Sequence, residues 1–228
     1  MQLLFPPQDV LINMNTSEAV ARLNQQLPLK KRQSDLPEAY RRLHQSILWQ
    51  LVREGRALNR DEIADQLGKQ ELEPFLQRVA GDDLVVLDQA GSEVLGAYPV
   101  TTEQTPHAIN VMGNSIFAMC ALDAVSVAPM FDASVKISSH CHLTQAPVLI
   151  QMRGHEIIDV QDSAAVQVGV RWQMPVGDAA HSMCMEMVFL QDESVARQWQ
   201  GDDQDSMSLF SLPAAVDFGA AFFKPLLD

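Results

Sequence analysis

The first half of the chain carries apolar residues at helical spacing. A period of 3.6 predicts a helix over 38–54 that ends at Gly55, with these residues facing inward: Leu43, Ile47, Leu48, Leu51 and Val52. Asn59 and Gly68 are typical of the cap and the end of a second, shorter helix. Apolar residues within 70–80 predict a third helix, so the pattern indicates three helices in succession.

Two short strands are predicted directly after these helices. Residues 84–88 and 93–100 are rich in Val and Leu, and they flank a turn at 89–92. Three helices followed by a β-ribbon are typical of a winged helix-turn-helix. We therefore assign 37–100 to a winged-helix-like module and leave 1–36 as an N-terminal extension.

The N-terminal extension shows one weak helical pattern. Apolar spacing over 17–27 predicts a short amphipathic helix, with Thr16 or Ser17 as its cap. The basic run over 30–32 is interpreted as a solvated linker, because short charge runs are usually exposed.

From residue 101 the polar pattern changes to the alternation of half-buried strands. The predicted strands cover these ranges: 105–113, 135–142, 146–153, 157–160, 165–172 and 181–190. An apolar helix follows Ser115 and is predicted to end at Pro129, and two further helices are predicted over 194–199 and 213–223. The fold class is therefore α+β, with 101–228 forming an antiparallel sheet flanked by helices.

The net charge argues against a nucleic-acid partner. The chain carries a formal charge of −13, and residues 35–100 hold seven cations against twelve anions. Readers of DNA normally present a basic face, so a scaffold role for the winged-helix-like module is favoured over DNA binding. We find no apolar run long enough to span a bilayer and no signal peptide, so a cytoplasmic location without a membrane partner is expected.

The first candidate site is the pair Cys120 and Asp123. A spacing of three places both side chains on one face if the segment is helical. One alternative is a buried core cysteine with an exposed aspartate. The other is a site for a soft metal such as Hg(II), Cu(I) or Zn, completed by Cys184 if the fold brings it there. Cys184 is predicted to lie on the strand over 181–190.

The run His140-Cys141-His142 is a rival donor set. Neighbouring residues on a strand face opposite sides, so the three cannot all bind one metal. Cys141 is interpreted as structural, and the two histidines as surface or hydrogen-bonded groups. Three cysteines far apart also do not favour a disulfide framework or a closed zinc site.

The surroundings of the three cysteines resemble a known family. Three motifs carry the resemblance: Phe117-Ala-Met-Cys120-Ala-Leu-Asp123, then Ser138-Ser-His-Cys141 with Thr144-Gln-Ala-Pro147, and His181-Ser-Met-Cys184 followed by Phe189. Their order and spacing are similar to those of the organomercurial (alkylmercury) lyases, over roughly residues 37–228. Two positions depart from the family pattern: Met119 stands where an aromatic residue is frequent, and Met185 where some members have a cysteine.

The resemblance implies an enzyme that cleaves a carbon–mercury bond by protonolysis. It implies that Cys120 and Cys184 bind mercury, that Asp123 handles the proton, and that Cys141 is structural. It makes 101–228 the catalytic core. No organic cofactor is expected; low-molecular-weight thiols would act as co-reactants, and a mercuric reductase would accept the Hg(II) product. A non-catalytic Cu or Hg binding protein and a metal-responsive regulator are the alternatives.

Overall fold

The computed structural model describes residues 14–161 and 165–228. Its helices are α1 Thr16–Gln26, α2 Leu29–Ser34, α3 Glu38–Glu54, α4 Arg60–Leu67, α5 Leu72–Gly81, α6 Ala121–Phe131, α7 Glu193–Gln200 and α8 Leu212–Phe223. Its strands are β1 Val85–Leu87, β2 Val94–Ala97, β3 Val100–Thr101, β4 His107–Val111, β5 Asn114–Ala118, β6 Ser134–His140, β7 Pro147–Arg153, β8 Glu156–Val160, β9 Gln167–Arg171, β10 Met187–Leu190 and β11 Met207–Ser211. Short 3₁₀ turns cover Ala179–His181, Met183–Glu186 and Lys224–Leu227.

The described strands form two antiparallel sheets. The larger has the order β1-β2-β3-β5-β4-β6-β7-β8, and the smaller has the order β10-β9-β11. Helices pack against both, which confirms the expected mixture of helices with an antiparallel sheet. The hairpin β1–β2 forms one edge of the larger sheet, because β2 pairs with β3, which in turn pairs with β5. The helical module is thus joined to the core through a continuous sheet.

From residue 14 onward, the N-terminal extension contains more helix than the sequence indicated. Residues 1–13 of this extension lie outside the described residues. The cap of α1 is Asn15, whose side chain accepts from the N–H of Glu18, so the prediction of Thr16 or Ser17 is wrong by one or two positions. The basic run belongs to α2 rather than to a linker, because Leu29 and Gln33 are buried on one side of that helix.

Helices α3 and α4 confirm their predicted boundaries. Gly55 ends α3 in the left-handed conformation with φ +69°, where glycine has no steric cost. Asn59 caps α4 with a capping box to Glu62, and Gly68 ends it. The arrangement of α3, α4, α5 and the hairpin follows the predicted order, while the winged-helix-like assignment and the domain boundaries stay predictions.

Helix α6 lies at the centre of the molecule. All of its residues are buried, and it packs against α8 and the larger sheet. It passes through Pro129 and ends at Phe131, so the predicted end at Pro129 is wrong. Proline removes one backbone N–H donor, but the last turn is held by burial on every side. None of the described helices is both long and apolar enough to cross a membrane.

The segment around Cys184 also departs from its prediction. A strand was expected over 181–190, but β10 begins only at Met187, which pairs with Val170 of β9. The preceding residues form 3₁₀ turns because the β9–β10 pairing stops there. On a strand Met183 and Met185 would share one face, but Met183 is buried and Met185 is 61% exposed.

Candidate active site

The first two site residues are placed by the start of α6. Cys120 is the N-cap of this helix, in extended conformation, and its Sγ accepts the backbone N–H of Asp123 at 3.3 Å. Asp123 lies in the first helical turn, so the spacing of three brings the pair together as predicted. The thiol takes the position that Ser or Asp usually occupies at a helix start.

The third residue reaches the pair through the fold. Cys184 lies in the 3₁₀ turn Met183–Glu186. Its sulfur, the Cys120 sulfur and a carboxylate oxygen of Asp123 all lie within 4.8 Å of one another. The structure therefore brings together the three residues that the sequence singled out. Two sulfurs and one oxygen form a donor set that suits a soft, thiophilic metal.

The carboxyl group of Asp123 is buried and poorly solvated. Asp123 is 0% exposed, so the alternative of an exposed aspartate is wrong. Among residues 14–161 and 165–228, no hydrogen-bond partner is found for either of its oxygens. Burial raises its pKa to about 7, although the two nearby thiols and the Cys120 backbone N–H lower it in part. Asp123 can therefore hold and release a proton near neutral pH.

Both thiols are shifted towards the protonated form. Burial, the adjoining Cys184 thiol and the charge on Asp123 raise the pKa of Cys120 well above its usual value. The neighbouring Cys120 thiol lowers the pKa of Cys184, but burial and the charges on Asp123 and Asp83 outweigh this and raise it. The free site therefore holds its protons until a ligand displaces them.

A cavity of about 360 Å³ leads to the site. Cys184 lies in its wall together with Met187, whose Sδ is 3.8 Å from the Cys120 sulfur. The remaining wall is mainly apolar but includes four histidines: His107, His140, His142 and His181. His140 and His142 were interpreted as surface or hydrogen-bonded groups; both line this cavity.

His107 is the most buried of the cavity histidines. Its Nδ1 lies 2.9 Å from the Ser139 hydroxyl, and its ring packs edge-on against Phe189. Burial, with a smaller effect of His140, lowers the pKa of His107 to about 4. The imidazole is therefore neutral at pH 7.

Cys141 lies directly after β6 and apart from the cluster of Cys120, Asp123 and Cys184. It is completely buried in a separate small apolar group that includes Val188, Leu190 and Leu209. Its backbone N–H donates to Ala146 O, which closes the turn between β6 and β7. This surrounding is in keeping with the predicted structural role.

Sequence reasoning missed two residues behind the Cys184 turn. Tyr98 and Asp83 are buried and hydrogen-bond to each other and to the backbone of Ala179 and Ala180. No spacing could have indicated them, because Asp83 and Tyr98 lie 96 and 82 positions before the residues that they bind. Two of the cavity histidines, His140 and His181, lie within the motifs that carry the family resemblance.

Two buried thiols beside a carboxylic acid, at the end of an apolar cavity, define a site that can bind a soft metal and deliver a proton. Comparison with known proteins identifies the class. The profile of the alkylmercury lyases matches residues 100–224, and the chain belongs to this family.

Individual relatives support the assignment. The chain is 29% identical to an alkylmercury lyase of Staphylococcus epidermidis over 75% of its length and 77% of the relative's. It is 28% identical to one of Bacillus cereus, over 89% and 88%. A solved structure of the mercury-bound form of MerB2 has the same fold, with a TM-score of 0.73, 20% identity and coverage of 88% and 98%. The expected enzyme class is confirmed, and neither alternative is favoured.

Proposed function

We propose that this enzyme cleaves the carbon–mercury bond of organomercurials by protonolysis at the cluster of Cys120, Asp123 and Cys184. The observation that carries the proposal is the meeting of two sulfurs and a carboxylate oxygen within 4.8 Å. The carboxyl group there has no hydrogen-bond partner among the described residues and has a pKa of about 7. The products are a hydrocarbon and Hg(II).

Each group has a separate task in the reaction. Cys120 binds the mercury of R–Hg⁺, and its thiol proton passes to Asp123. Cys184 then adds its sulfur to the same mercury and loses its own thiol proton to solvent through the cavity. The electron density that this second sulfur donates weakens the Hg–C bond. The electron pair of that bond stays on carbon, which takes the proton from Asp123 and leaves as R–H. Hg(II) remains on the two thiolates and the carboxylate, without any change of oxidation state.

The surroundings of Asp123 suit this proton transfer. A carboxyl group with an ordinary pKa of 3.8 would hold little proton at pH 7, whereas burial raises this one to about 7. It can therefore accept a proton from a thiol and give it to carbon under the same conditions. A carboxylate oxygen lies within 4.8 Å of both sulfurs, and therefore close to a mercury that the sulfurs would bind and to its leaving carbon.

Release of Hg(II) requires a thiol from solution that replaces the protein ligands. The site is buried, and a small thiol can approach it through the cavity beside Cys184. We propose that low-molecular-weight thiols remove the product by ligand exchange, that a mercuric reductase can accept it, and that no organic cofactor takes part. A reducing cytoplasm would keep the three free cysteines available.

We propose that residues 37–100 form a winged-helix-like scaffold rather than a DNA-binding module. The order of α3, α4, α5 and the hairpin supports this assignment. Glu71 and Glu73 at the start of α5 place two carboxylates where a helix that enters a DNA groove usually carries cations. The face of α3 that includes Leu48 and Leu51 is buried, and this helix packs against β5.

The test is hydrocarbon release. The purified full chain, with methylmercury and excess small thiol, should release methane, measured by gas chromatography. Cys120→Ser and Cys184→Ser should each abolish the release, because a hydroxyl is a poor ligand for mercury. Full activity in both variants would refute the assignment of the site. Tight Hg(II) binding by the unaltered protein without methane would instead indicate a non-catalytic metal-binding protein.

A further inference from the structure

The 3₁₀ turn Ala179–His181, which leads to Cys184, is capped from a distant part of the chain. The N-terminal N–H groups of a helical turn need acceptors, and a local side chain usually provides one. Here the preceding residue, Asp178, makes no such bond. The N–H of Ala179 donates to Asp83 Oδ2 at 3.2 Å, and the N–H of Ala180 donates to the Tyr98 hydroxyl oxygen at 2.8 Å.

Tyr98 and Asp83 act as one unit. The Tyr98 hydroxyl donates to Asp83 Oδ1 at 2.9 Å, so its single proton is used and its oxygen is oriented towards Ala180. Tyr98 is 1% exposed, and Asp83 is also buried. Arg32 of α2 lies 3.8 Å from Asp83 Oδ2 and also donates to Asp82 O at 3.1 Å, which ties the unit to the N-terminal helices.

The capped turn continues without a break into the turn that carries Cys184. Ser182 donates its N–H to Ala179 O at 3.2 Å and its hydroxyl to Asp178 O at 2.9 Å. The N–H of Met185 then donates to Ser182 O at 3.2 Å. Any movement of Ala179 is therefore passed to the backbone on both sides of Cys184.

We infer that Tyr98 and Asp83 are positioning residues for the second mercury-binding thiol: they fix the turn that aims Cys184 at Cys120 and Asp123. The inference rests on the proposed function for its consequence in turnover, although the geometry stands by itself. It gives the N-terminal part of the chain a task in the reaction, because Asp83 lies two residues after α5 of the helical module and Arg32 belongs to α2 of the N-terminal extension.

Tyr98→Phe tests this role with the smallest possible change. Phenylalanine keeps the ring that fills the core and removes the hydroxyl bound to Asp83 and Ala180. Misplacement of a reacting group by about 1 Å can lower a rate about 100-fold. We expect kcat for methane release to fall at least about tenfold, while KM changes less than about twofold.

A second measurement reports the position of the thiol independently of turnover. The rate at which iodoacetamide alkylates each cysteine in the native protein can be followed by peptide mass spectrometry. A loosened turn should raise the rate at Cys184 at least about fivefold relative to Cys120, because local opening exposes only that segment. General destabilisation would raise both rates together.

Tyr40→Phe is the matched control. Tyr40 also donates to a carboxylate, Glu71, at 2.6 Å, but it lies on α3 and lines neither the cavity nor the site. Its variant should change kcat by less than about twofold and leave the ratio of alkylation rates as in the unaltered protein. Asp83→Asn is a second test variant for the case that Tyr98→Phe does not fold. It should likewise lower kcat and raise the alkylation rate of Cys184 relative to Cys120.

The outcomes separate the two proposals. If the unaltered protein releases no methane, the proposed function fails, and the alkylation ratio still decides whether Tyr98 fixes the turn. If the unaltered protein is active, a loss of kcat together with a selective rise at Cys184 supports the inference. Unchanged kcat, an unchanged ratio, or an equal rise at both thiols overturns it.

Discussion

Two buried cysteine environments in this protein have opposite electrostatics. Cys120 and Cys141 are 1% and 0% exposed, so both sulfurs are shielded from solvent. Yet the pKa of Cys120 is raised well above its usual value, and the pKa of Cys141 is lowered. Cys120 lies deeper in the protein than Cys141, and the polar groups around the two sulfurs also differ.

Hydrogen-bond donors surround the sulfur of Cys141, whereas the sulfur of Cys120 adjoins groups that can become negatively charged. Burial raises the pKa of Cys141, but the Thr144 hydroxyl and the backbone N–H groups of Thr144, Gln191 and Leu143 outweigh it. The hydroxyl proton of Thr144 can rotate between this sulfur and Gln191 Oε1. Cys120 instead adjoins the carboxylate of Asp123 and a second thiol. The negative charges on the two deprotonated sulfurs and the carboxylate would repel one another, and a bound metal cation can stabilise them.

The largest expected effect is on turnover. Cys184→Ser should lower kcat/KM for methylmercury at least about 1000-fold, equivalent to about 4 kcal/mol of transition-state stabilisation. Cys141→Ser should change it by less than about threefold, because this residue lies in a separate apolar group. Methane release at equal concentrations of folded protein measures both, and similar losses would break the distinction between the two environments.

The next effect is on the pH dependence of stability. The folded pKa of Asp123, about 7, lies above its ordinary value of 3.8, so its neutral form favours folding below pH 3.8, and this contribution is lost as the pH rises through 7. Asp123→Asn should remove the loss, which approaches about 4 kcal/mol by pH 8. Urea unfolding of both proteins from pH 4 to 8 measures it. A difference between them that does not grow with pH would contradict the prediction.

His44 extends the comparison to a buried group that becomes positively charged when it is protonated. Burial lowers its pKa to about 4, although its Nε2 donates to Leu84 O, which opposes the shift. The neutral form is favoured on folding, so stability should be lost as the pH falls from 6.5 to about 4. His44→Gln should remove up to about 3 kcal/mol of this loss.

The control for this experiment is His142→Gln, because His142 is exposed and its side chain forms no ion pair among the described residues. Its unfolding free energy should follow that of the unaltered protein from pH 4 to 7. If His44→Gln shows the same pH dependence as this control, burial of His44 does not cause the acid sensitivity.

The smallest effect concerns the donors around Cys141. Thr144→Val removes a hydroxyl with little change of shape and should cost about 1 kcal/mol in urea unfolding. It should also raise the pKa of Cys141, followed by the ultraviolet absorbance of the thiolate. Thr102→Val is the control, because the Thr102 hydroxyl donates to Leu95 O at 2.9 Å, away from the cysteines. A shift of the same size in both variants would show that Thr144 does not act on this sulfur.

Local signals predicted the parts of the fold whose causes are local. The cap at Asn59, the ends at Gly55 and Gly68, and the spacing of Cys120 and Asp123 all depend on neighbours within one turn. The α+β class followed from the change of periodicity at residue 101.

Features set by distant contacts could not be predicted in this way. The segment before Met187 has strand-like alternation, but its pairing partner stops at Arg171. Residues 30–32 look like a linker, but Gln33 is held inside by a bond of 2.7 Å to Leu226 O. The proximity of Cys184 came from the family resemblance, and its cause in the fold, the cap by Tyr98 and Asp83, became visible only in three dimensions.

The continuous larger sheet limits how far this enzyme can be shortened. A fragment starting at residue 100, where the family profile begins, would lose β1 and β2 and leave the two-residue strand β3 as a bare edge. Unpaired edges promote aggregation. The same cut removes Tyr98 and Asp83. A transplantable unit for a mercury biosensor or a fusion enzyme must therefore carry the helical module with it.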